Sequence, residues 1–430
     1  MPTDGDPAMP ASSPVVTDLA RSMERLAARG ELIRQIDEHG ESTFSAAQPA
    51  SLPVVLAITF VGSLGTGLLW TGVPFVAEHD FGFSKAANLW LAAAEGVAYV
   101  GVAFLAGPLL RALARGRSTR SVLMQVLMAQ ALVCPLPLLG AWGVVIGAIL
   151  ISAISALLWP IMESYLSSGR HGHRLRWSVG LFNMTWTSAV AASLFLMAPL
   201  FATDSTRLAV VAIGPCCLAA ACLLPWLPLQ PPPHLAGAQH APAPPVYTPL
   251  RDATRLLLPT SYLLIGALGP LLPYVITRLE VAATAATPLA ATWLTVRVVA
   301  MLGMWRLPFW HGRWSTLVVG SVLMGSGFVA AVNASNVPML VAALAAFGTG
   351  HAVIYYASLY YAMTVGHAAV DAGGHFEALI GSGYVLGPLA SLLGVWLGGG
   401  EPWFALTLAA IASLMAVRAW LRWRITTRPS

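Results

Sequence analysis

A chain of 430 residues that is 57% hydrophobic, only 10% charged and has a mean hydropathy of +0.72 carries less than half the roughly 25% charged residues of soluble domains. This composition excludes an ordinary soluble domain and indicates a protein that crosses the membrane many times. The net charge of +5 does not indicate a nucleic-acid partner, because the arginines stand in short connections and form no basic patch with interleaved aromatic residues.

The four cysteines lie inside apolar runs, at Cys134, Cys216, Cys217 and Cys222. None belongs to a Cys-x-x-Cys pair or has a histidine close by, so they indicate small core residues and not disulfides. We therefore expect neither a metal nor a cofactor.

Residues 1–51 are polar and begin without the apolar h-region of a signal peptide, so we interpret them as a cytosolic tail. Between residues 15 and 39, apolar and charged positions alternate at helical spacing, which fits an amphipathic helix on the membrane surface. A disordered tail fits the same composition.

Twelve apolar runs follow the tail. Each has close to the roughly 20 residues that a helix needs to cross the bilayer, so the sequence predicts an all-α membrane protein with twelve spanning helices. The runs cover residues 53–76, 88–110, 121–140, 142–165, 176–201, 207–229, 253–277, 286–309, 313–333, 337–363, 375–399 and 402–421.

A proline-rich connection separates the sixth run from the seventh. Pro-Pro-Pro and Ala-Pro-Ala-Pro-Pro sequences form neither a spanning helix nor a packed loop, so residues 230–252 are predicted to be an extended cytosolic linker. The linker divides the chain into six-helix halves at residues 52–229 and 253–421, followed by a short cytosolic tail at 422–430.

The arginines predict the orientation. With the N-terminus in the cytosol, all but four of the 23 basic residues fall in cytosolic segments. The four are Lys85, Arg207 and Arg278 outside, and Arg297 within a helix. The positive-inside rule then puts both termini in the cytosol.

A basic turn between two apolar runs occurs twice. The first extends from Gly107 to Arg117 and the second, with the same spacing of Gly and Gly-Arg, from Gly303 to Arg313, with Gly312 as its second glycine. The offset of 196 residues indicates a duplicated half, which is the layout of one large class of secondary transporters.

Two six-helix halves, cytosolic ends, a central linker and a repeated basic turn resemble the major facilitator superfamily over residues 52–421. The turn of that family reads roughly Gly-x-x-x-Asp-Arg-x-Gly-Arg-Arg. Gly107 and Gly116-Arg117 match it, with one extra residue between them and Arg111 where the family has Asp. The resemblance implies two helical halves around a central cavity.

Ionisable residues inside five of the runs are candidate functional groups, because burying such groups in a membrane is costly. They are Glu95, Glu163, Arg297, His351 and Glu377. The resemblance implies that the helices carrying them line the cavity, whereas the third, sixth, ninth and twelfth helices face lipid.

Each midplane candidate has a structural alternative. Arg297 stays protonated and must meet an acidic side chain or an anionic substrate, so a permanent ion pair and a substrate or coupling role are both open. Glu95 can be neutralised by protonation, as a proton-coupling site requires. His351 fits a hydrogen-bonded core residue or a site residue, and Tyr355 and Tyr356 are positioned to contact substrate.

Glycines and prolines recur at corresponding positions of the first and seventh runs. They predict interrupted helices at the binding site and its gates, with close helix packing as the alternative. The residues are Gly72, Pro74, Gly269, Pro270 and Pro273.

The reversed charge at Arg111 predicts a cytosolic latch of reversed polarity. Arg111 or Arg115 would reach Glu377 in the first turn of the eleventh helix, and Glu163 would brace the same arginines. The alternative is that all four are screened surface charges.

The sequence as a whole predicts a monomeric secondary transporter of the plasma (inner) membrane that moves a small organic solute by alternating access. No nucleotide-binding loop is present, so protons are the expected energy source. A non-transporting sensor or scaffold of the same fold is one alternative. A membrane-embedded enzyme is another, although no catalytic motif supports it.

Overall fold

The structure is a computed structural model that describes residues 49–170, 172–203, 205–232, 244–365 and 370–397, together with single positions between 407 and 421. The predicted N-terminal tail, most of the proline-rich linker and most of the twelfth run lie outside these residues.

Apolar runs with few interruptions fold as helices, since a helix satisfies its own backbone groups in lipid. Within the described residues we number fourteen α-helices and find no strand. They are α1 Leu52–Gly67, α2 Val73–Phe81, α3 Lys85–Leu113, α4 Thr119–Val133, α5 Ala141–Ser167, α6 Gly172–Phe201, α7 Arg207–Val211, α8 Ile213–Leu223, α9 Tyr247–Arg278, α10 Ala283–Ala290, α11 Thr292–Arg306, α12 Trp314–Val332, α13 Val337–Val365 and α14 Val370–Trp396.

Eleven segments of the described chain are long and apolar enough to cross a membrane. In chain order they overlap the first eleven predicted runs, from Leu52–Phe81 to Glu377–Trp396. An all-helical protein that crosses the membrane many times is thereby confirmed. The twelfth span and the location of the termini stay predictions.

Hydrogen bonds between loops show which helix ends lie together. At the end of the bundle where α1 begins, here called the near face, Arg170 donates to the Ala50 carbonyl and Arg120 Nη1 donates to the Leu227 carbonyl at 3.0 Å. At the opposite end, the far face, Arg278 Nη2 donates to the Val332 carbonyl at 3.0 Å. Successive spans therefore run in opposite directions.

Burial differs sharply between spans. In α9, 83% of the most apolar window is buried, against 39% in the spans of α4 and α12. Large side chains such as Leu132 and Trp142 are 82% and 77% exposed, as expected for residues that contact lipid. The helix α9 thus lies at the centre of the bundle.

The first and seventh spans differ in a way that the sequence did not predict. A π-helical turn, Leu68–Gly72, separates α1 from α2 directly before Pro74. The matching interruption expected at Gly269, Pro270 and Pro273 is wrong, because α9 continues through all three.

The continuous α9 packs tightly against a neighbouring helix. Neighbouring helices can compensate for the hydrogen bonds that prolines remove from a membrane helix. The helix α14 approaches so closely that a Cβ on Gly383 or Gly387 would collide with the α9 backbone at Pro259 or Leu263.

Candidate functional site

A cavity of about 150 Å³ lies between the first six spans and the later ones. An engineered cavity of about that volume holds a benzene ring, so the space suits a ring-sized solute. The polar and aromatic side chains that line it are Thr66, Trp70, Thr71, Asn88, Glu95, Tyr99, Trp159, Glu163, Trp186, Tyr262, Trp293, Arg297, Tyr355, Glu377 and Tyr384.

Arg297 provides the positive charge of this cavity. It lies on α11, is 1% exposed, and follows Trp293 by four residues, so both side chains share one helix face. Its Cζ atom lies 4.4 Å from the centroid of the Trp186 ring and 4.9 Å from that of the Tyr355 ring. The centroids of these two rings are 5.8 Å apart and the rings are nearly perpendicular, so the guanidinium packs against two aromatic rings on adjacent sides.

The guanidinium is not saturated by protein groups. Its Nε and Nη2 atoms have no hydrogen-bond partner, and no acidic side chain forms an ion pair with it, among the residues that the structure describes. Arginine remains charged when buried. The N–H bonds of these two nitrogens are consequently available to a ligand in the cavity.

One amide positions both rings around Arg297. The Trp186 indole N–H donates to Asn183 Oδ1 at 2.9 Å, and the Tyr355 hydroxyl donates to the same oxygen at 3.2 Å. An indole N–H can only donate, which fixes the orientation of the Asn183 amide. Asn183 therefore holds the two rings against the guanidinium.

His351 lies behind the cavity wall rather than in it. It is fully buried, and its ring centroid lies 5.2 Å from that of Tyr262 and 5.9 Å from that of Tyr355. Neither ring nitrogen has a hydrogen-bond partner in the described part of the chain. Its environment is thus aromatic, not that of a hydrogen-bonded core histidine.

Two carboxyl groups lie together on another side of the cavity. The Tyr99 hydroxyl of α3 donates to Glu377 Oε2 of α14 at 2.6 Å, which joins the early spans to the late ones. Glu163 of α5 is close enough to Glu377 for the two to interact electrostatically. No described basic side chain forms an ion pair with either carboxyl group.

Glu95 is a third acidic side chain in the lining. It is 4% exposed, and its Oε1 atom has no hydrogen-bond partner among the described residues. It precedes Tyr99 by four residues on the same face of α3, and its backbone carbonyl accepts a 2.8 Å hydrogen bond from Ser152 Oγ. Its backbone is fixed while its carboxyl group faces the cavity.

Tyrosine rings lie between the guanidinium and the paired carboxyl groups. The Tyr262 centroid is 5.2 Å from that of Tyr384 and 6.1 Å from that of Tyr355. Each of the three tyrosines interacts electrostatically with both Arg297 and Glu377. The cavity is therefore polarised, with an aromatic layer between its positive and negative sides.

The structure brings most of the midplane candidates together. Of the candidate side chains and helix-break residues, the cavity is lined by Glu95, Glu163, Arg297, Tyr355, Glu377, Pro74, Gly269 and Pro270. Tyr356 points elsewhere, with its ring centroid 5.8 Å from that of Trp310 near the second basic turn. Gly72 and Pro273 lie outside the lining.

The predicted latch does not form in this structure. Arg111 and Arg115 are exposed, and neither forms an ion pair within the described residues. The helix α14 already includes Val370, so Glu377 lies at least about two turns into the helix and not in its first turn as the prediction required. Its carboxyl group therefore reaches the cavity.

Apart from Tyr355, the sequence interpretation missed the aromatic residues of the lining. Tyr99, Trp293 and Tyr384 lie four or seven residues from Glu95, Arg297 and Glu377, respectively. That spacing puts them on the helix faces of the charged residues. An aromatic residue at this distance from an intramembrane charge was the available signal.

No family profile and no curated protein matches the sequence. The fold, in contrast, is similar to several solved transporters. The nucleoside transporter NupG is 12% identical with a TM-score of 0.60, covering 86% of this chain and 98% of NupG. The human organic anion transporter MFSD10 (TETRAN) is 16% identical with a TM-score of 0.60, covering 85% and 98%.

A bacterial homologue of the human lysosomal transporter Spinster, in an inward-facing and occupied conformation, is 15% identical with a TM-score of 0.62. The match covers 89% of this chain and 99% of that protein. Identities this low establish a shared fold and leave the substrate open.

Proposed function

Because the chain has the fold of major facilitator superfamily transporters, we propose that it is a secondary transporter that moves a small organic solute by alternating access. The observation that carries the proposal is the cavity between the early and late spans, where two guanidinium nitrogens of buried Arg297 have no hydrogen-bond partner among the described residues. A purely structural arginine would be expected to have its hydrogen bonds satisfied.

The contacts across the interface support a moving protein. Near the far face, Asn88 Nδ2 of α3 donates to the Tyr274 hydroxyl of α9 at 2.9 Å, and that hydroxyl donates to the Phe83 carbonyl. Elsewhere in the interface, Tyr99 donates to Glu377. A hydrogen bond contributes about 1 kcal/mol net, so such contacts can break and re-form as the solute crosses.

Proton coupling is the energy source that we propose, with Glu95 as the coupling group. Its carboxyl group faces the cavity and has no ion-pair partner in the described residues, so gain of a proton removes a costly buried charge. In the proposed orientation the near face is cytosolic and the protein lies in the plasma (inner) membrane as a monomer.

Solute flux in proteoliposomes tests the function. We expect at least one solute from a panel of organic acids, amines, amphoteric compounds and nucleosides to enter or leave wild-type vesicles in response to a pH gradient. Glu95→Gln should remove the pH-driven component and leave solute exchange without a gradient, whereas Glu280→Gln at the exposed far face should change neither.

A folded protein that moves no solute of any class would favour the sensor or scaffold alternative. For the orientation, an impermeant thiol reagent added to intact cells should label a cysteine at Ser205 or Lys85 and not one at Gly237. Labelling at Gly237 would reverse the orientation.

A further inference from the structure

The charges and rings around the cavity define a substrate class more closely than the fold does. Three features carry this inference, which rests on the proposed transport function. They are a guanidinium and a pair of carboxyl groups, each without an ion-pair partner in the part of the chain that the structure describes, and a layer of aromatic rings between them.

The positive side selects an anionic group. Arg297 is 1% exposed and remains charged, and its Nε and Nη2 atoms have no hydrogen-bond partner among the described residues. A planar guanidinium binds a carboxylate or a similar acid group through two parallel hydrogen bonds. A neutral solute would leave the charge compensated by aromatic side chains, the rings of Trp186 and Tyr355 and the hydroxyl of Tyr262, without an anionic group.

The negative side selects a cationic group. Glu163 and Glu377 interact with each other and have no ion-pair partner among the described residues, where Tyr99 is the only side chain that donates a hydrogen bond to Glu377. Two carboxyl groups that share a site repel when both are ionised. An ammonium group placed beside them would relieve that repulsion and donate up to three hydrogen bonds.

The middle of the cavity selects an apolar body. Tyr262, Tyr355 and Tyr384 lie between the two charged sides, and the Trp70 ring stacks on Tyr384 with centroids 4.7 Å apart. Such rings favour a flat apolar or aromatic group. A volume of about 150 Å³ admits a body of about one ring.

We propose that the substrate is amphoteric, with an acid group bound by Arg297, a basic amine bound by Glu163 and Glu377, and a ring-sized apolar body between them. Both charges are then satisfied by protein groups of opposite sign. The aromatic layer keeps those groups apart in the empty protein and contacts the solute body in the occupied one.

A matched series of ring compounds tests the proposal by calorimetric titration of the full-length protein in nanodiscs. The series is 4-(aminomethyl)benzoate, with both charges; its methyl ester, with only the amine charge; its N-acetyl derivative, with only the acid charge; and 4-methylbenzamide, with neither. We expect the amphoteric compound to bind at least about tenfold more tightly than any other member.

Variants assign each preference to its residues. Arg297→Gln should abolish the advantage of 4-(aminomethyl)benzoate over the methyl ester, and Glu163→Gln with Glu377→Gln should abolish its advantage over the N-acetyl derivative. Arg297→Lys, which keeps the charge and loses the planar fork, should lie between wild type and Arg297→Gln. Arg313→Gln, which changes an exposed side chain at the second turn, is the matched control and should bind the series as wild type does.

Equal binding of all four compounds, no binding of the amphoteric compound, or an acid preference that survives Arg297→Gln would overturn the proposal. Proton-driven flux of a neutral or singly charged solute alone would reject the substrate class and leave the transporter function intact. Binding of the amphoteric compound without flux of any solute would retain the site and reject transport.

Discussion

The two basic turns of the chain have the same backbone and different surroundings. Gly116 in the first turn and Gly312 in the second both have φ of +69°, a left-handed conformation that favours glycine. Around the first turn the side chains of Arg111, Arg115 and Arg117 are exposed. The repeated glycine spacing thus goes with the same backbone conformation in both turns.

The second turn is held by buried aromatic residues. Trp310 is 1% exposed and its indole N–H donates to the Met304 carbonyl at 2.8 Å, while the His311 ring stacks on Tyr360 with centroids 4.4 Å apart. The Gly312 N–H donates to the Tyr361 hydroxyl at 2.9 Å. The arginine side chains of the first turn are instead exposed. A repeated spacing of glycines therefore predicts the backbone conformation of a turn and not the role of its side chains.

Of the substitutions in the two turns, loss of the Trp310 side chain should reduce the stability of the protein most. Trp310→Ala removes a fully buried ring and should reduce the free energy of unfolding by about 3 to 5 kcal/mol. Thermal unfolding in detergent, with Phe309→Ala as the control because Phe309 is 62% exposed, measures it. Equal effects of the two substitutions would show that the buried Trp310 ring does not stabilise the second turn.

Because the two turns have the same backbone conformation, replacing the left-handed glycine of either turn should reduce stability by the same, smaller amount. Gly116→Ala and Gly312→Ala both force a side chain into the left-handed region and should each cost about 1 to 2 kcal/mol. The controls are Gly107→Ala and Gly303→Ala, which lie within helices α3 and α11 and should be neutral or slightly stabilising. A cost at only one of the turns would mean that their conformations differ.

The hydrogen bond to the second turn should contribute less again. Tyr361→Phe leaves the Gly312 N–H without its partner and should cost about 1 kcal/mol. The Tyr360 hydroxyl forms no hydrogen bond in the described structure, so Tyr360→Phe should change the unfolding temperature very little. If the two variants behave alike, the Tyr361 hydroxyl does not stabilise the turn.

The exposed arginines of the first turn should contribute least. Arg111→Gln and Arg115→Gln should each change the free energy of unfolding by less than about 0.5 kcal/mol, because exposed charges without ion pairs contribute little. Chemical unfolding at low and high salt measures this. A loss of unfolding free energy above about 1 kcal/mol that disappears at high salt would indicate that these arginines form ion pairs, as the predicted latch requires.

The sequence predicted the spans and the charged residues of the cavity for physical reasons. A helix must cover the apolar thickness of the membrane, so eleven runs could be located from hydropathy alone. Intramembrane charges such as Arg297 are costly, and their presence marks a function. Aromatic residues carry no such cost in an apolar run, so Tyr262 and Trp186 did not stand out.

Helix starts were harder to predict than helix centres. Hydropathy does not detect polar residues that extend a helix beyond its apolar run, and α14 begins at Val370, before the run at 375–399. Because of this earlier start, Glu377 lies at the cavity and not at the position that the predicted latch requires. Likewise, the continuous α9 depends on packing that a single sequence does not contain, whereas Gly72 and Pro74 did mark the first span, which has a π-helical turn at Leu68–Gly72.

The most direct test of the proposed transporter is a pair of distance measurements across its two faces. Spin labels at Lys85 and Glu280 report the far face, and labels at Arg115 and Arg313 report the near face; all four positions are exposed. Double electron–electron resonance in nanodiscs, with the four native cysteines replaced, would follow both distances as pH and solute are varied. The account predicts that conditions which lengthen one distance shorten the other, and distances that stay fixed under every condition, or that change in the same direction, would contradict alternating access.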